Sequence, residues 1–126
     1  MSCDKTILLV EDEPLIMMDL EFAAQDRGCG VLCAIDVATA LRHLDGDTPV
    51  DVAVLDVTLK NEETCLPVAE ELDRRGIPYI LHSGDLNRTD ETVQRLGRQH
   101  IQKPSDSRKV IAAALSSLER QPADAD

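Results

Sequence analysis

Five short apolar runs punctuate the chain at fairly even intervals. They are Thr6–Val10, Val31–Ile35, Val52–Leu55, Tyr79–Leu81 and a weaker one around His100–Gln102. The first four are continuous rather than alternating. A strand apolar at consecutive positions buries both of its faces, as in a parallel sheet covered by helices on both sides. The segments between the runs carry helical spacing. In Pro14–Arg27, Ile16, Leu20, Ala23 and Ala24 share one face, a proline opens the first turn, and Gly28 and Gly30 follow as stop signals. Asp36–Leu44 reads as a short helix with Asp36 or Thr39 near its start. Leu66–Arg75 ends at Gly76 with Pro78 beyond. Thr89–Leu96 ends at Gly97. Ser105–Arg120 is the longest, with Val110, Ala113, Ala114 and Leu118 inward and Ser105 or Asp106 as its N-cap.

A strand–helix unit repeated five times is too short to close an eight-fold barrel. The remaining solution is an open α/β sheet. The pattern predicts a flavodoxin-like, doubly wound, five-stranded parallel sheet of order 2-1-3-4-5 with helices on both faces. Residues 1–121 form one domain in this reading, and residues 122–126 a short frayed tail.

Composition narrows the partners. The 126 residues carry a formal net charge of −11, and residues 1–71 hold 16 acidic against 4 basic side chains. Such a surface has little use for phosphate backbones or anionic membranes. With Phe22 and Tyr79 as the only aromatic residues apart from histidine, a base-stacking platform is excluded. Cys3, Cys29, Cys33 and Cys65 lack paired metal-ligand spacing, and His43, His82 and His100 lie far apart, so reduced thiols are expected. The start has no signal-peptide apolar region, and no apolar run approaches the ~18 residues of a membrane span. A cytoplasmic protein that binds neither nucleic acid nor membrane is expected.

In a doubly wound sheet the site lies beyond the carboxyl ends of the strands. Glu11, Asp12 and Glu13 follow the first strand, Asp56 the third, His82, Ser83, Gly84 and Asp85 the fourth, and Lys103 and Pro104 the fifth. Taken singly, Asp12 is as readily a solvated turn residue, Ser83 a turn hydroxyl and Lys103 a surface lysine. Together they form a set. Glu11, Asp12 and Asp56 would repel one another if left alone, and a hard divalent cation such as Mg²⁺ relieves that. Lys103 can neutralise an incoming anion and Ser83 can donate a hydrogen bond to it. A carboxylate nucleophile, a metal, an ammonium and a hydroxyl are what phosphoryl transfer requires.

Leu8-Leu-Val-Glu11-Asp12-Glu13-Pro14, Val54-Leu-Asp56, Ser83-Gly84 and Lys103-Pro104 resemble the motifs of the receiver domains of two-component response regulators, in the single-domain form. The likeness covers nearly the whole chain. It implies that Asp56 is the phosphoacceptor, that Asp12 is a direct Mg²⁺ ligand with Glu11 acting through water, and that the backbone carbonyl of Thr58 is a further ligand. It makes Ser83 the switch hydroxyl and Lys103 the phosphate-contacting lysine. It also implies a signalling domain that catalyses only its own phosphorylation and dephosphorylation, rather than an enzyme acting on a diffusing substrate. The donor would be a phosphohistidine on a histidine kinase or phosphotransfer protein, and the output a downstream protein target.

Several positions depart from the family pattern. His100 stands where the family places an aromatic switch residue. Lys60 and Thr64 occupy the positions of a proline and a glycine after the phosphoacceptor. Asp85 and Thr58 would border the phosphoryl group and tune its lifetime. In the switch, Ser83 moves toward the new phosphoryl oxygens and His100 fills the space it leaves. This reshapes the face made by the fourth predicted helix, fifth strand and fifth predicted helix (residues roughly 88–120), which is also the face for a homodimer. Leu15, Met18 and Phe22 form a second apolar stripe on the first helix, either ordinary surface apolars or packing on the fifth helix, or else a docking patch for the phosphodonor. No output domain is expected after the fifth helix. Of the rival readings, a haloacid dehalogenase-type phosphatase needs an acid where Thr58 stands. A flavin carrier needs a phosphate cradle where Glu11-Asp12-Glu13 stand. A receiver-fold docking module that works without phosphorylation is the alternative that fits His100 and the altered loop.

Overall fold

The computed structural model describes residues 4–57, 59, 64–83, 100–102 and 106–124, with the backbone alone at Ser83, His100, Gln102 and residues 119–124. The elements run β1 (Thr6–Val10), α1 (Pro14–Asp26), β2 (Gly30–Ala34), α2 (Val37–Asp45), β3 (Val52–Asp56), α3 (Leu66–Arg75), β4 (Tyr79–Ser83), β5 (His100–Gln102) and a C-terminal helix (Ser107–Asp124). The strands are parallel and ordered β2-β1-β3-β4-β5, and β5 is a three-residue strand at one edge. The expected helix Thr89–Leu96 lies outside the described residues.

The alternation of side chains along each strand divides the core into two layers. Leu8 and Val10 of β1, Ala53 and Leu55 of β3, and Tyr79 and Leu81 of β4 pack with Ala40 and Leu44 of α2 and Val68, Ala69 and Leu72 of α3. Ile7, Leu9, Val52, Val54 and Ile80 face the other way, onto Met17, Leu20 and Ala24 of α1 and Val110, Ile111 and Ala114 of the C-terminal helix. Unalternating sequence is therefore what each central strand requires, since neither face meets water.

Local chemistry sets the helix ends. Pro14 opens α1 at a position whose N–H has no intrahelical partner. The Asp36 side chain caps α2 by accepting the Thr39 N–H at 2.8 Å. Gly76 closes α3 in the left-handed region (φ 71°), which only glycine adopts freely. Asp106 accepts the Arg108 N–H at 2.9 Å at the head of the C-terminal helix. Arg75 ties the ends of α2 and α3 together through the Leu44 carbonyl (2.6 Å), Asp45 (2.7 Å) and Glu71 (2.5 Å).

Some boundaries and packing positions differ from the sequence pattern. β2 stops at Ala34, whose carbonyl takes the Glu11 N–H at 3.0 Å, and Ile35 turns outward beyond it. β4 continues to Ser83, because ladder pairing reaches Asp56↔His82 and Ser83↔Gln102. On α1, Met17 is buried and Ile16 only half-buried. The C-terminal helix passes the expected end at Arg120 and runs to Asp124, with Pro122 in its last turn. Cys29 is disulfide-bonded, whereas Cys33 and Cys65 are free. The expectation of reduced thiols holds for Cys33 and Cys65 and is corrected at Cys29. A chain that needs no cross-link for stability is not thereby prevented from having one. Among the described residues, no helix is long and apolar enough to cross a membrane.

Candidate functional site

β1 and β3 lie side by side in register, Val10 against Leu55, so both chains leave the sheet at the same level. The next residues are Glu11 and Asp12 on one side and Asp56 on the other. Glu11 is almost fully buried (1% exposed), and its carboxylate accepts the Glu13 N–H at 3.1 Å, which bends the chain into α1. Asp56 closes β3 at 5% exposure, and Asp12 is half-buried. One carboxylate oxygen from each of the three lies within 4.8 Å of the others.

Three carboxylates so close together, two of them buried, could hold a cation between them. The donors are all hard oxygens, and they are few. That suits Mg²⁺, which binds through one or two carboxylates and keeps its remaining positions for water and phosphate oxygens. The residues present therefore fit the metal.

Two side chains beside Asp56 were given no role by the sequence reading. Cys65 is fully buried at the head of α3, and its N–H donates to the Val57 carbonyl at 3.0 Å, drawing α3 against the end of β3. Burial first, and the Asp56 charge second, push its thiol up to about 12. His82 pairs with Asp56 across the β3–β4 ladder and is 3% exposed. The signal for His82 was its place in the run Tyr79–Ser83, two residues after Ile80 and on the same face.

The second apolar stripe of α1 is exposed: Leu15 (72%), Phe22 (61%) and Met18 all face solvent. Beside Phe22 lies a groove of about 480 Å³, lined also by Asp19, Asp26, Asp106 and Arg108. Thr58, Asp85 and Lys103 lie outside the described residues, as do the side chains of Ser83 and His100. Ser83 and His100 are placed by their backbones alone, at the end of β4 and the start of β5.

No protein-family model matches the chain. It is 37% identical to SdrG from Sphingomonas melonis Fr1, with a TM-score of 0.74, covering 94% of this chain and 99% of that one. It is 26% identical to the receiver domain of NtrX from Brucella abortus, with a TM-score of 0.78, covering 91% and 99%. Among curated proteins it is 27% identical over 116 residues to the TorCAD operon transcriptional regulatory protein TorR of Escherichia coli O157:H7. That match takes in 90% of this chain but spans half the length of the relative. With buried acids gathered where β1 and β3 end, these likenesses identify the chain as a response regulator receiver domain.

Proposed function

We propose that the chain accepts a phosphoryl group on Asp56 from a phosphohistidine of a histidine kinase or phosphotransfer protein. One observation carries the reading: the Glu11, Asp12 and Asp56 carboxylates converge within 4.8 Å at the carboxyl ends of β1 and β3. The Asp56 oxygen bonds to phosphorus, and the P–N bond breaks with its electron pair returning to the donor imidazole. Asp12, Asp56 and the Thr58 carbonyl would hold Mg²⁺, with Glu11 acting through water. When bound, the metal supplies positive charge to the phosphoryl oxygens. Burial at the end of β3 holds the Asp56 nucleophile in place, and the Glu11–Glu13 hydrogen bond fixes the loop that carries Asp12. In this reading Lys103 and Ser83 hold phosphoryl oxygens, His100 moves with Ser83, and Thr58 and Asp85 border the path of attacking water.

The reading makes the chain a cytoplasmic signalling domain with no turnover of a diffusing substrate. Its output is a reshaped surface toward a downstream protein or a second copy. The phosphodonor would dock on the open stripe of α1, where Leu15, Met18 and Phe22 are flanked by Asp19 and Asp26. Met18→Glu should abolish phosphotransfer from the donor protein with the circular dichroism spectrum unchanged; intact transfer removes the stripe from the reading.

Intact-mass spectrometry after incubation with acetyl phosphate and Mg²⁺ tests the central step. One added phosphoryl group is expected, absent from Asp56→Asn and from a sample with EDTA. A negative there and with beryllofluoride would replace the phosphoacceptor by a docking module that works without phosphorylation.

A further inference from the structure

Leu15, Met18, Phe22 and Ile35 are the large apolar side chains left exposed among the described residues, and the first three stand on α1. That helix is apolar on two opposite faces. Met17, Leu20, Ala23 and Ala24 meet the core. Leu15, Met18 and Phe22 follow one another at steps of three and four residues on the side turned to solvent. The C-terminal helix packs against the first face and leaves the second uncovered. Steps of three and four are the a and d positions of a heptad, the seam along which one helix packs on another. The flanking e and g positions choose the partner by charge. Here they are Asp19 and Asp26 on one side of the seam and Glu21 on the other. Pro14–Asp26 contains no Lys, Arg or His. Glu21 is half-buried and accepts a hydrogen bond from the Cys33 thiol, whereas Asp19 and Asp26 are exposed. Next to these two lies the groove of about 480 Å³ between α1 and the head of the C-terminal helix. Its lining is acidic on balance, because Asp106 already holds Arg108 at 3.1 Å and Asp19 and Asp26 add two further carboxylates. A second copy does not fit this seam: it would set acid against acid, in chains that each carry a formal net charge of −11.

We infer that α1 receives one helix of a partner protein along the Leu15–Met18–Phe22 seam, a helix whose own apolar a and d positions are flanked by Lys or Arg. Its apolar side chains cover the seam, and a basic side chain enters the groove beside Phe22 to meet Asp19 and Asp26. The chemistry of that helix follows from the seam alone; its assignment to the phosphodonor rests on the phosphoacceptor reading.

The probe is a fluorescently labelled peptide of three heptads with Leu at a and d, Lys at e and g, and Ala or Gln elsewhere. Its twin carries Glu in place of Lys. Like charges at e and g keep each peptide from pairing with itself. Fluorescence anisotropy with the intact protein at low ionic strength should show binding of the Lys peptide and none of the Glu twin. Phe22→Ser, at an exposed position, should weaken binding about tenfold or more. Asp19→Asn combined with Asp26→Asn should weaken it about threefold, a difference that high salt removes. Asp47→Asn combined with Glu70→Gln makes the same charge change at exposed positions away from α1 and should leave binding unchanged. No binding of the Lys peptide, equal binding of the twins, or equal weakening by the two double variants overturns the inference. So does a dimer, seen by analytical ultracentrifugation, that Phe22→Ser disperses, since the seam then belongs to a second copy. Labelling of Asp56 by acetyl phosphate needs no partner helix. Labelling without peptide binding strikes the seam alone; peptide binding without labelling supports the seam and removes the phosphodonor as its partner.

Discussion

Removing one charge from the acidic site should strengthen the metal-free fold and weaken its response to Mg²⁺. Asp12→Asn is the informative change, because the amide keeps the shape of the side chain and drops its charge. The carboxylate oxygens of Glu11, Asp12 and Asp56 lie within 4.8 Å of one another. Two unit charges at that distance repel by about 3.5 kcal/mol at an effective dielectric of 20, and Asp12 faces two of them. Asp12 is half-buried, so solvent screens much of this. A net gain of about 1–2 kcal/mol is expected in EDTA, a rise of roughly 3–6 °C in Tm per kcal/mol for a chain of this length. Mg²⁺ should reverse the order. At a hundred times its Kd a ligand of the folded state adds about 2.7 kcal/mol, and the wild type alone should receive most of that. Thermal unfolding followed by far-ultraviolet circular dichroism, in EDTA and across a Mg²⁺ titration, reads both effects. If Asp12→Asn is no more stable than wild type in EDTA, the three acids are not in uncompensated repulsion. If Mg²⁺ stabilises both proteins equally, Asp12 is not a ligand.

Other expectations test the scaffold. Leu72→Ala, at a fully buried position of α3, should cost about 2–5 kcal/mol in urea denaturation with the slope unchanged. Arg75→Ala removes the tie between α2 and α3 and, being partly exposed, should cost about 1 kcal/mol or less in the same assay. The Thr39 hydrogen bonds hold the Asp36 carboxyl below its ordinary value of 3.8, with the side-chain bond the larger cause. In the window just below that value the unfolded chain binds more protons. The Asp36 contribution is therefore complete above it and fades as pH falls toward the folded pKa. Asp36→Asn, which retains a capping oxygen, should flatten that part of the acid-stability curve. Burial pushes the Cys33 thiol up to about 11 and the Cys65 thiol to about 12, so iodoacetamide at neutral pH should label the buried Cys65 only after unfolding and Cys33 only slowly, as read by peptide mass spectrometry.

The legible parts of the chain are those where one physical demand dominates a run of residues. Thr6–Val10 and Val52–Leu55 had to be central strands because no face of them could meet water, and the two core layers on either side are the consequence. Gly76, Pro14 and Asp36 announced helix ends through backbone chemistry that owes nothing to the rest of the fold. The acids were legible because doubly wound topology assigns strand ends to one place. What escaped depended on neighbours remote in sequence. Met17 is buried because the C-terminal helix lies across α1, and β2 stops before Ile35 because Ala34 gives its carbonyl to Glu11. Cys29 is cross-linked, which size and spacing could not reveal. His82 followed an apolar run and read as the start of a loop, although the ladder carries it inside.

The same remoteness explains how so acidic a site can exist in a marginally stable domain. Glu11 and Asp56 are each the first residue past a strand core that is apolar on both faces, so their backbones are fixed by packing they do not contribute to. The Glu13 N–H and the Cys65–Val57 hydrogen bond then fix where the two loops turn. Repulsion among the acids cannot relax by moving the strands, because any shift would break both core layers at once. In the phosphoacceptor reading, a cation and a phosphoryl group on Asp56 are what answer that charge. In the same reading, a phosphoryl group on Asp56 changes the conformation of these loops while the sheet beneath them stays in place.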